Sequence, residues 1–284
     1  MPVLRDPAAL RRLSEELRTA GRRIGLVPTM GCLHEGHLSL IRAAAERTDY
    51  VITTLFVNPA QFGPSEDYTR YPRDEARDAA LALQAGTRYL FAPPVEAVYP
   101  GGFRTAVEVE GLDAVLEGRS RPGHFRGVAT VVAKLFNMAR PHLAVFGQKD
   151  AQQALLIRRM AADLDFGIEI LIMPTVREPD GLAMSSRNVY LTPQERREAP
   201  VLYRALTSGM EKITRGERDC GRIIGEIREM IRGSSTSEVD YISVADAATL
   251  DEKALLVQGE KVLISLAVRF PSARLIDNVV VRVP

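Results

Sequence analysis

Apolar positions in this chain fall into two kinds of stretch, and the two alternate. Short, mostly apolar runs occupy 23–28, 50–57, 89–92, 143–146 and 168–173, bounded by charge, glycine or proline. Between them, at 8–20, 37–47, 74–85, 127–139 and 150–163, apolar residues recur at helical spacing. The short runs predict strands buried on both faces, and the periodic stretches predict helices with one apolar side. Such alternation predicts an α/β fold built on a Rossmann-like doubly wound parallel sheet. Sheets of that kind bind ligands beyond the carboxyl ends of their strands, where the strand order reverses.

The pattern changes near residue 175. Thr192-Pro193-Gln194-Glu195 reads as a capping box with proline at the first helical position, opening a helix at about 193. A second helix is expected over 218–232, a loop at Gly233-Ser234-Ser235-Thr236-Ser237, and strands near 239–245, 261–270 and 275–282. Helices followed by strands predict a smaller C-terminal α+β domain. The expected division is 1–175 for the Rossmann-like domain and 176–284 for a C-terminal lid, joined by a hinge that allows closure over a substrate.

Composition narrows the function. With 284 residues, 26% of them charged, and a formal net charge of +1, the chain offers no bulk electrostatic case for nucleic acid or a membrane. Its two cysteines, Cys32 and Cys220, lack metal-like spacing and suit a reducing, cytoplasmic setting. No apolar run approaches the length of a membrane span, and Met1-Pro2-Val3-Leu4-Arg5-Asp6 lacks a signal-peptide core.

Chemistry concentrates after the predicted strands. Pro28-Thr29-Met30-Gly31-Cys32-Leu33-His34-Glu35-Gly36-His37 joins a strand to a helix through glycine. Such a turn presents free backbone N–H groups and the positive end of a helix dipole, a setting for phosphate. His34 and His37, three apart, share one face and can both address an anion. A pair of structural cap histidines is the competing reading; a metal site fails for want of further ligands. Asn58 and Gln61, at the end of the strand 50–57, can hold hydroxyls or a carboxylate, or simply form an Asn-Pro turn. The stretch 118–127 carries Arg119, Arg121 and Arg126 among glycines: a mobile loop that closes over phosphate, or a solvated one. Gly147-Gln148-Lys149-Asp150 opens the helix bearing Gln152 and Gln153, and its lysine and aspartate suit phosphate, Mg²⁺ or ribose, or a plain N-cap. Met184-Ser185-Ser186-Arg187 can cradle a triphosphate and steady a leaving pyrophosphate.

Taken in order, these motifs resemble the pantoate–β-alanine ligase (pantothenate synthetase) family. The set comprises Pro28–Gly31, His34–His37, Phe56–Phe62, Arg121–Gly127, Phe146–Asp150 and Met184–Asn188, and the likeness continues to Arg274-Leu275-Ile276-Asp277-Asn278. The histidine turn and the Met-Ser-Ser-Arg loop correspond to signatures of the wider nucleotidylyl transferase superfamily, which includes class I tRNA synthetases. The resemblance implies condensation of D-pantoate with β-alanine through a pantoyl adenylate, with ATP as co-substrate, Mg²⁺ required, and AMP and pyrophosphate released. It implies an ATP site along Met30, Gly31, Cys32, Leu33, His34, Glu35, Gly36 and His37. It extends that site to Gly147, Gln148, Lys149, Asp150, Val176, Met184, Ser185, Ser186 and Arg187.

For the substrates pantoate and β-alanine it implies Gln61, Gln153 and Asn58. His34, His37, Lys149, Ser185, Ser186 and Arg187 are implied as catalytic. The family casts His37 as a proton donor, but adenylyl transfer demands no proton there, so the expected role is chiefly electrostatic. Mg²⁺ is expected on the ATP phosphates, with Asp150 the one candidate side chain, and no protein cage. A homodimer is implied, with neither nucleic acid nor membrane as partner. Alternative readings are another adenylyltransferase of the superfamily or a non-catalytic ATP-binding module. The neutral pair Gln61 and Gln153 argues against a phosphorylated acceptor.

Overall fold

The computed structural model describes residues 1–64, 66–233 and 237–284; the loop expected at Gly233–Ser237 falls largely outside the described residues. In chain order the elements are β1 (Val3–Leu4), α1 (Pro7–Thr19), β2 (Ile24–Val27), α2 (Glu35–Ala45), β3 (Tyr50–Thr54) and α3 (Glu75–Ala85). β4 (Thr87–Phe91), α4 (Val95–Val98), α5 (Glu117–Ser120), α6 (His124–Ala139), β5 (Leu143–Gly147), α7 (Ala151–Asp163) and β6 (Glu169–Met173) follow. The remainder is α8 (Pro193–Glu198), α9 (Val201–Thr214), α10 (Cys220–Arg232), β7 (Glu238–Asp246), β8 (Lys261–Arg269) and β9 (Arg274–Arg282). Two units result: Met1–Ala114, Arg121–Gln148 and Gln153–Pro174 form one, and Val115–Ser120, Lys149–Gln152 and Thr175–Pro284 the other.

The first unit holds a six-stranded sheet in the order β1-β4-β3-β2-β5-β6, with every pairing parallel. The order runs outward from β2 in both directions and reverses between β2 and β5, as a doubly wound sheet requires. Successive strand residues feed opposite faces. Leu26, Ile52, Phe91 and Ala144 pack with Leu10 and Leu17 of α1, Phe136 of α6 and Leu156 of α7. Their neighbours Val27, Val51, Leu90 and Val145 pack with Ile41 of α2 and Ala82 of α3. Each fully buried leucine or isoleucine contributes about 1.5–3 kcal/mol of transfer free energy. The two-sided core is why these strands read as unbroken apolar runs.

The second unit is an antiparallel sheet, β7-β8-β9, against which α9 and α10 pack. On α10, Ile223, Ile227 and Ile231 recur every four residues and are all buried. Two arginines tie this unit together. Arg177 makes a bidentate pair with Asp277 at 2.6 and 2.9 Å and lies over the Tyr203 ring at 3.7 Å. Arg274 makes another with Glu117 at 2.8 and 2.7 Å and also reaches Asp240.

Several boundaries differ from those the pattern predicts. β3 ends at Thr54 rather than 57, and α2 starts at Glu35 because His34 caps it. The expected open loop 118–127 is largely helical: Glu117–Ser120 is one turn and α6 begins at His124. β1 is two residues long, too short to show any periodicity.

The capping box at Thr192 forms as expected and carries an acid-sensitive contact. Glu195 accepts from the Thr192 N–H at 2.7 Å, the Ser272 N–H at 3.0 Å and the Ser272 hydroxyl at 2.6 Å. Burial pushes its carboxyl up, but those donors outweigh burial and hold it at about 2. A depressed native pKa stabilises fully above the ordinary value of 4.5 and progressively less as pH falls toward about 2. In urea unfolding across that window, wild type should lose stability that Glu195→Gln never gains, so the two curves converge at the acid end.

Candidate functional site

The turn between β2 and α2 carries the two histidines. Gly31 and Cys32 both adopt left-handed backbone, at φ 88° and 52°, which folds the chain sharply back before the helix. The backbone N–H groups expected to be free are satisfied from within. Gly31 donates to Thr29 Oγ1 at 3.2 Å, and Cys32 and Leu33 donate to the Asp78 carboxylate at 2.7 and 2.8 Å. Asp78 comes from α3, 1% exposed, and acts as a clamp on the inside of the turn. His34 N–H donates to His37 Nδ1 at 3.4 Å, and Gly36 N–H to His34 Nδ1 at 3.2 Å. The rings lie 4.1 Å apart. With both Nδ1 atoms accepting, Nε2 is the protonated nitrogen of each neutral ring. The turn is therefore lined by two imidazole rings at the N-terminus of α2, rather than by a nest of bare backbone amides.

Asn58 and Gln61 sit at the carboxyl end of β3, 1% and 9% exposed. Asn58 Nδ2 donates to Gln61 Oε1 at 3.0 Å and to the Gly127 carbonyl at 3.1 Å. Gln61 Nε2 turns to Met30 Sδ at 3.3 Å, joining three residues singled out in the sequence. Gly127 has to be glycine: a Cβ there would lie 2.1 Å from the Ala60 carbonyl oxygen, because α6 runs directly against the Pro59–Gln61 turn. The Gln61 backbone carbonyl is held at 2.8 Å by His124 Nδ1, and Arg121 donates to His124 Nε2 at 3.0 Å.

Arg121 is not a loose basic side chain. Its guanidinium grips Glu66 with two contacts of 2.6 Å. Burial pushes the Glu66 carboxyl up, and the bond and charge of Arg121 outweigh that and hold it low. Arg126 pairs with Glu108 at 3.0 Å on the surface. Gly147 and Gln148 close β5, next to β2 at the point of reversal, and Gln153 lies half-buried in the first turn of α7.

In the second unit, Met184 N–H donates to the Val176 carbonyl at 3.0 Å, so a short hairpin brings those two positions together. Ser185 caps the 3-10 turn Ser186–Tyr190 by accepting from the Arg187 N–H at 3.2 Å. The Lys149 ammonium lies 3.7 Å from Asp150, and the Lys149 carbonyl accepts from Asn278 Nδ2 at 2.9 Å. Asn278 follows Asp277, the partner of Arg177.

Sequence reasoning missed Asp78, Glu66, Tyr99 and Arg177. Each acts through a partner 41 to 100 residues away, as in Cys32 with Asp78 or Arg177 with Asp277. Asp78 left one trace: a charge on the helical side whose neighbours Ala82 and Ala85 are buried.

Donors gathered beyond the central strands of a doubly wound sheet place the protein in a class, the α/β enzymes that take an anionic ligand where the strand order reverses. Comparison with known proteins makes the class specific. A profile of the family described as pantoate-beta-alanine ligase matches residues 2–280. Pantothenate synthetase of Moorella thermoacetica is 54% identical over 283 residues, covering 100% of this chain and 99% of its own. That of Roseiflexus sp. is 56% identical over 269 residues, covering 93% and 96%. The crystal structure of pantothenate synthetase from Thermus thermophilus matches with a TM-score of 0.91 at 48% identity, over 98% of this chain and 99% of that one. Pantoate-beta-alanine ligase of Francisella tularensis, complexed with beta-gamma ATP and β-alanine, matches at TM-score 0.79 and 32% identity over 98% and 97%. The chain belongs to the pantoate–β-alanine ligase family.

Two substitutions test this geometry. Asp78→Asn points an amide N–H at a backbone N–H and should cost about 1–3 kcal/mol in urea unfolding, with a matching loss of turnover. Gly127→Ala must displace the Pro59–Gln61 turn, costing about 1–3 kcal/mol, and should raise KM for pantoate more than KM for ATP.

Proposed function

We propose that this ligase joins D-pantoate to β-alanine at the expense of ATP, through a pantoyl adenylate. A pantoate carboxylate oxygen attacks the α-phosphorus, the bond to the bridging oxygen breaks, and pyrophosphate leaves with the electron pair. The β-alanine amine then attacks the acyl carbon, AMP leaves, and the amine gives up a proton as the amide forms. Activation is needed because a free carboxylate resists amine attack, whereas its mixed anhydride with AMP has a good leaving group.

One observation carries this reading: the family match runs over residues 2–280 and so encloses every motif singled out above. His34 and His37 would bind phosphate oxygens through Nε2–H and oppose the charge building at the α-phosphorus, which neutral donors held in place do without reorganisation. Met30 to His37, Gly147 to Asp150, Val176 and Met184 to Arg187 would line the ATP site. Asn58, Gln61 and Gln153 would receive pantoate, with Gln61 also serving β-alanine. Residues 1–175 would bind ATP and pantoate, and 176–284 would act as the lid. A homodimer in the cytoplasm completes the reading, in keeping with two cysteines that remain thiols.

Mg²⁺ fits this donor set in one way. Among the described residues no group of three or more His, Cys, Asp or Glu is arranged to hold a metal. An ion carried on the triphosphate, with the half-exposed Asp150 carboxylate as its one protein neighbour, suits what is present. It would supply charge neutralisation to the phosphates, and Lys149 would add its own.

Incubation with MgATP and D-pantoate, with and without β-alanine, tests the reaction: AMP and pyrophosphate should accumulate at steady turnover only when all three substrates are present. ADP as product, or turnover without pantoate, would overturn it. His37→Ala and Lys149→Ala should each fold as wild type by circular dichroism and lose about 10²–10³-fold in kcat, the usual effect of removing one preorganised donor. Near wild-type turnover in either would remove the role given to that residue.

A further inference from the structure

Gln61 can serve a substrate only if its amide faces the right way, because its oxygen accepts and its nitrogen donates. The surroundings of Asn58 settle that orientation. The Ala60 backbone N–H lies 3.3 Å from Asn58 Oδ1, and the Gly127 carbonyl lies 3.1 Å from Asn58 Nδ2. Neither backbone group can exchange its role, so the Asn58 amide has one orientation. Its Nδ2 then donates to Gln61 Oε1, which leaves Nε2, with two N–H donors of which one reaches Met30 Sδ, as the end of Gln61 not tied to Asn58. Completing the series is Tyr99, whose hydroxyl donates to Asn58 Oδ1 at 2.8 Å.

The Tyr99 ring is fixed independently of that hydroxyl. Phe103 meets it edge-on at 5.2 Å, Phe56 lies 6.3 Å away, and the Lys134 ammonium stands 5.8 Å from the ring centroid. Burial pushes the phenol up to about 12 against the smaller opposing effect of Asn58, so the hydroxyl remains a donor throughout the neutral range. The backbone groups set the polarity of this series, and the tyrosine at its start adds a further bond that holds Asn58, and through it Gln61, in place.

We propose that Tyr99 is a positioning residue of the ligase reaction: acting through Asn58, it holds Gln61 with Nε2 presented, so that Gln61 meets pantoate as a donor to an oxygen acceptor. The proposal rests on the reading that Gln61 receives pantoate. It also gives that site a preference. A substrate group that meets Nε2 is an acceptor, such as a carboxylate, carbonyl or hydroxyl oxygen.

Steady-state kinetics of Tyr99→Phe, Gln61→Ala and the double variant separate the possibilities. Tyr99→Phe keeps the ring and should raise KM for D-pantoate about three- to tenfold, the effect of one neutral hydrogen bond, while KM for ATP stays at the wild-type value. In the Gln61→Ala background the same change should add nothing to KM for pantoate, because the group it positions is gone. An unchanged KM for pantoate in Tyr99→Phe, with Gln61→Ala impaired, would overturn the proposal and spare the reading of Gln61. Equal losses for all substrates, persisting in the double variant, would show a merely structural tyrosine and overturn it too. If Gln61→Ala itself left KM for pantoate unchanged, the underlying reading would fall, and the proposal with it.

Discussion

A strand buried on both faces cannot simply stop: beyond the end of β2 the chain leaves the ladder, and the backbone amides of the turn that follows need acceptors. Asp78 meets that requirement. Its carboxylate, brought from α3 and almost wholly buried, takes the Cys32 and Leu33 N–H groups and so holds two left-handed residues in a tight bend. A charge-assisted pair of bonds of this kind is worth more than two neutral ones, and a buried carboxylate without them would be costly. The bend in turn sets His34 at the cap of α2 and His37 one turn along, with ring centroids 4.1 Å apart and Nδ1 atoms occupied. The chemistry of the turn thus depends on a residue that no ligand needs to touch.

The same division between groups proposed to face a ligand and groups that hold them recurs around Gln61. Its side chain is fixed by Asn58, and its backbone carbonyl by His124, which is braced by Arg121 and Glu66. In the second unit Arg177, Asp277 and Asn278 lead to the carbonyl of Lys149. Buried ion pairs of this type add little net stability, since desolvation offsets their attraction. Apolar clusters in each unit supply the stability, and the ion pairs hold in place the groups they join.

Most of the architecture was legible in the sequence because it follows from burial. Strands covered on both faces, such as Ile24–Val27, must be apolar throughout, and helices covered on one side, such as Cys220–Arg232, must be periodic. The histidine turn, Asn58 with Gln61, and the Met184–Arg187 loop were singled out by their order along the chain and its resemblance to the family, whose profile spans them all. Asp78, Tyr99 and Arg177 were not, and for one reason. An isolated aspartate on a helix or an arginine in a hairpin has the same local pattern whether it lies on the surface or in the core. Only the fold, which brings Cys32 to a helix 46 residues on, tells them apart. Arg121 shows the converse error: a glycine-rich basic stretch suggested mobility, but its guanidinium is committed to Glu66.

Neutral groups dominate the positions proposed to face a ligand in the first unit. They are the two imidazoles, whose Nδ1 atoms accept from backbone N–H groups, and the Gln61 amide, with the protonated Tyr99 behind Asn58. Such donors have a physical advantage over ammonium or guanidinium groups. They bind oxygen without a large desolvation cost, and their direction is set by the bond each makes at its other end. A charge attracts any anion from any side, whereas a dipole held at both ends favours an acceptor in one place. That suits a reaction that must bring one carboxylate oxygen to one phosphorus while rejecting other anions of equal charge.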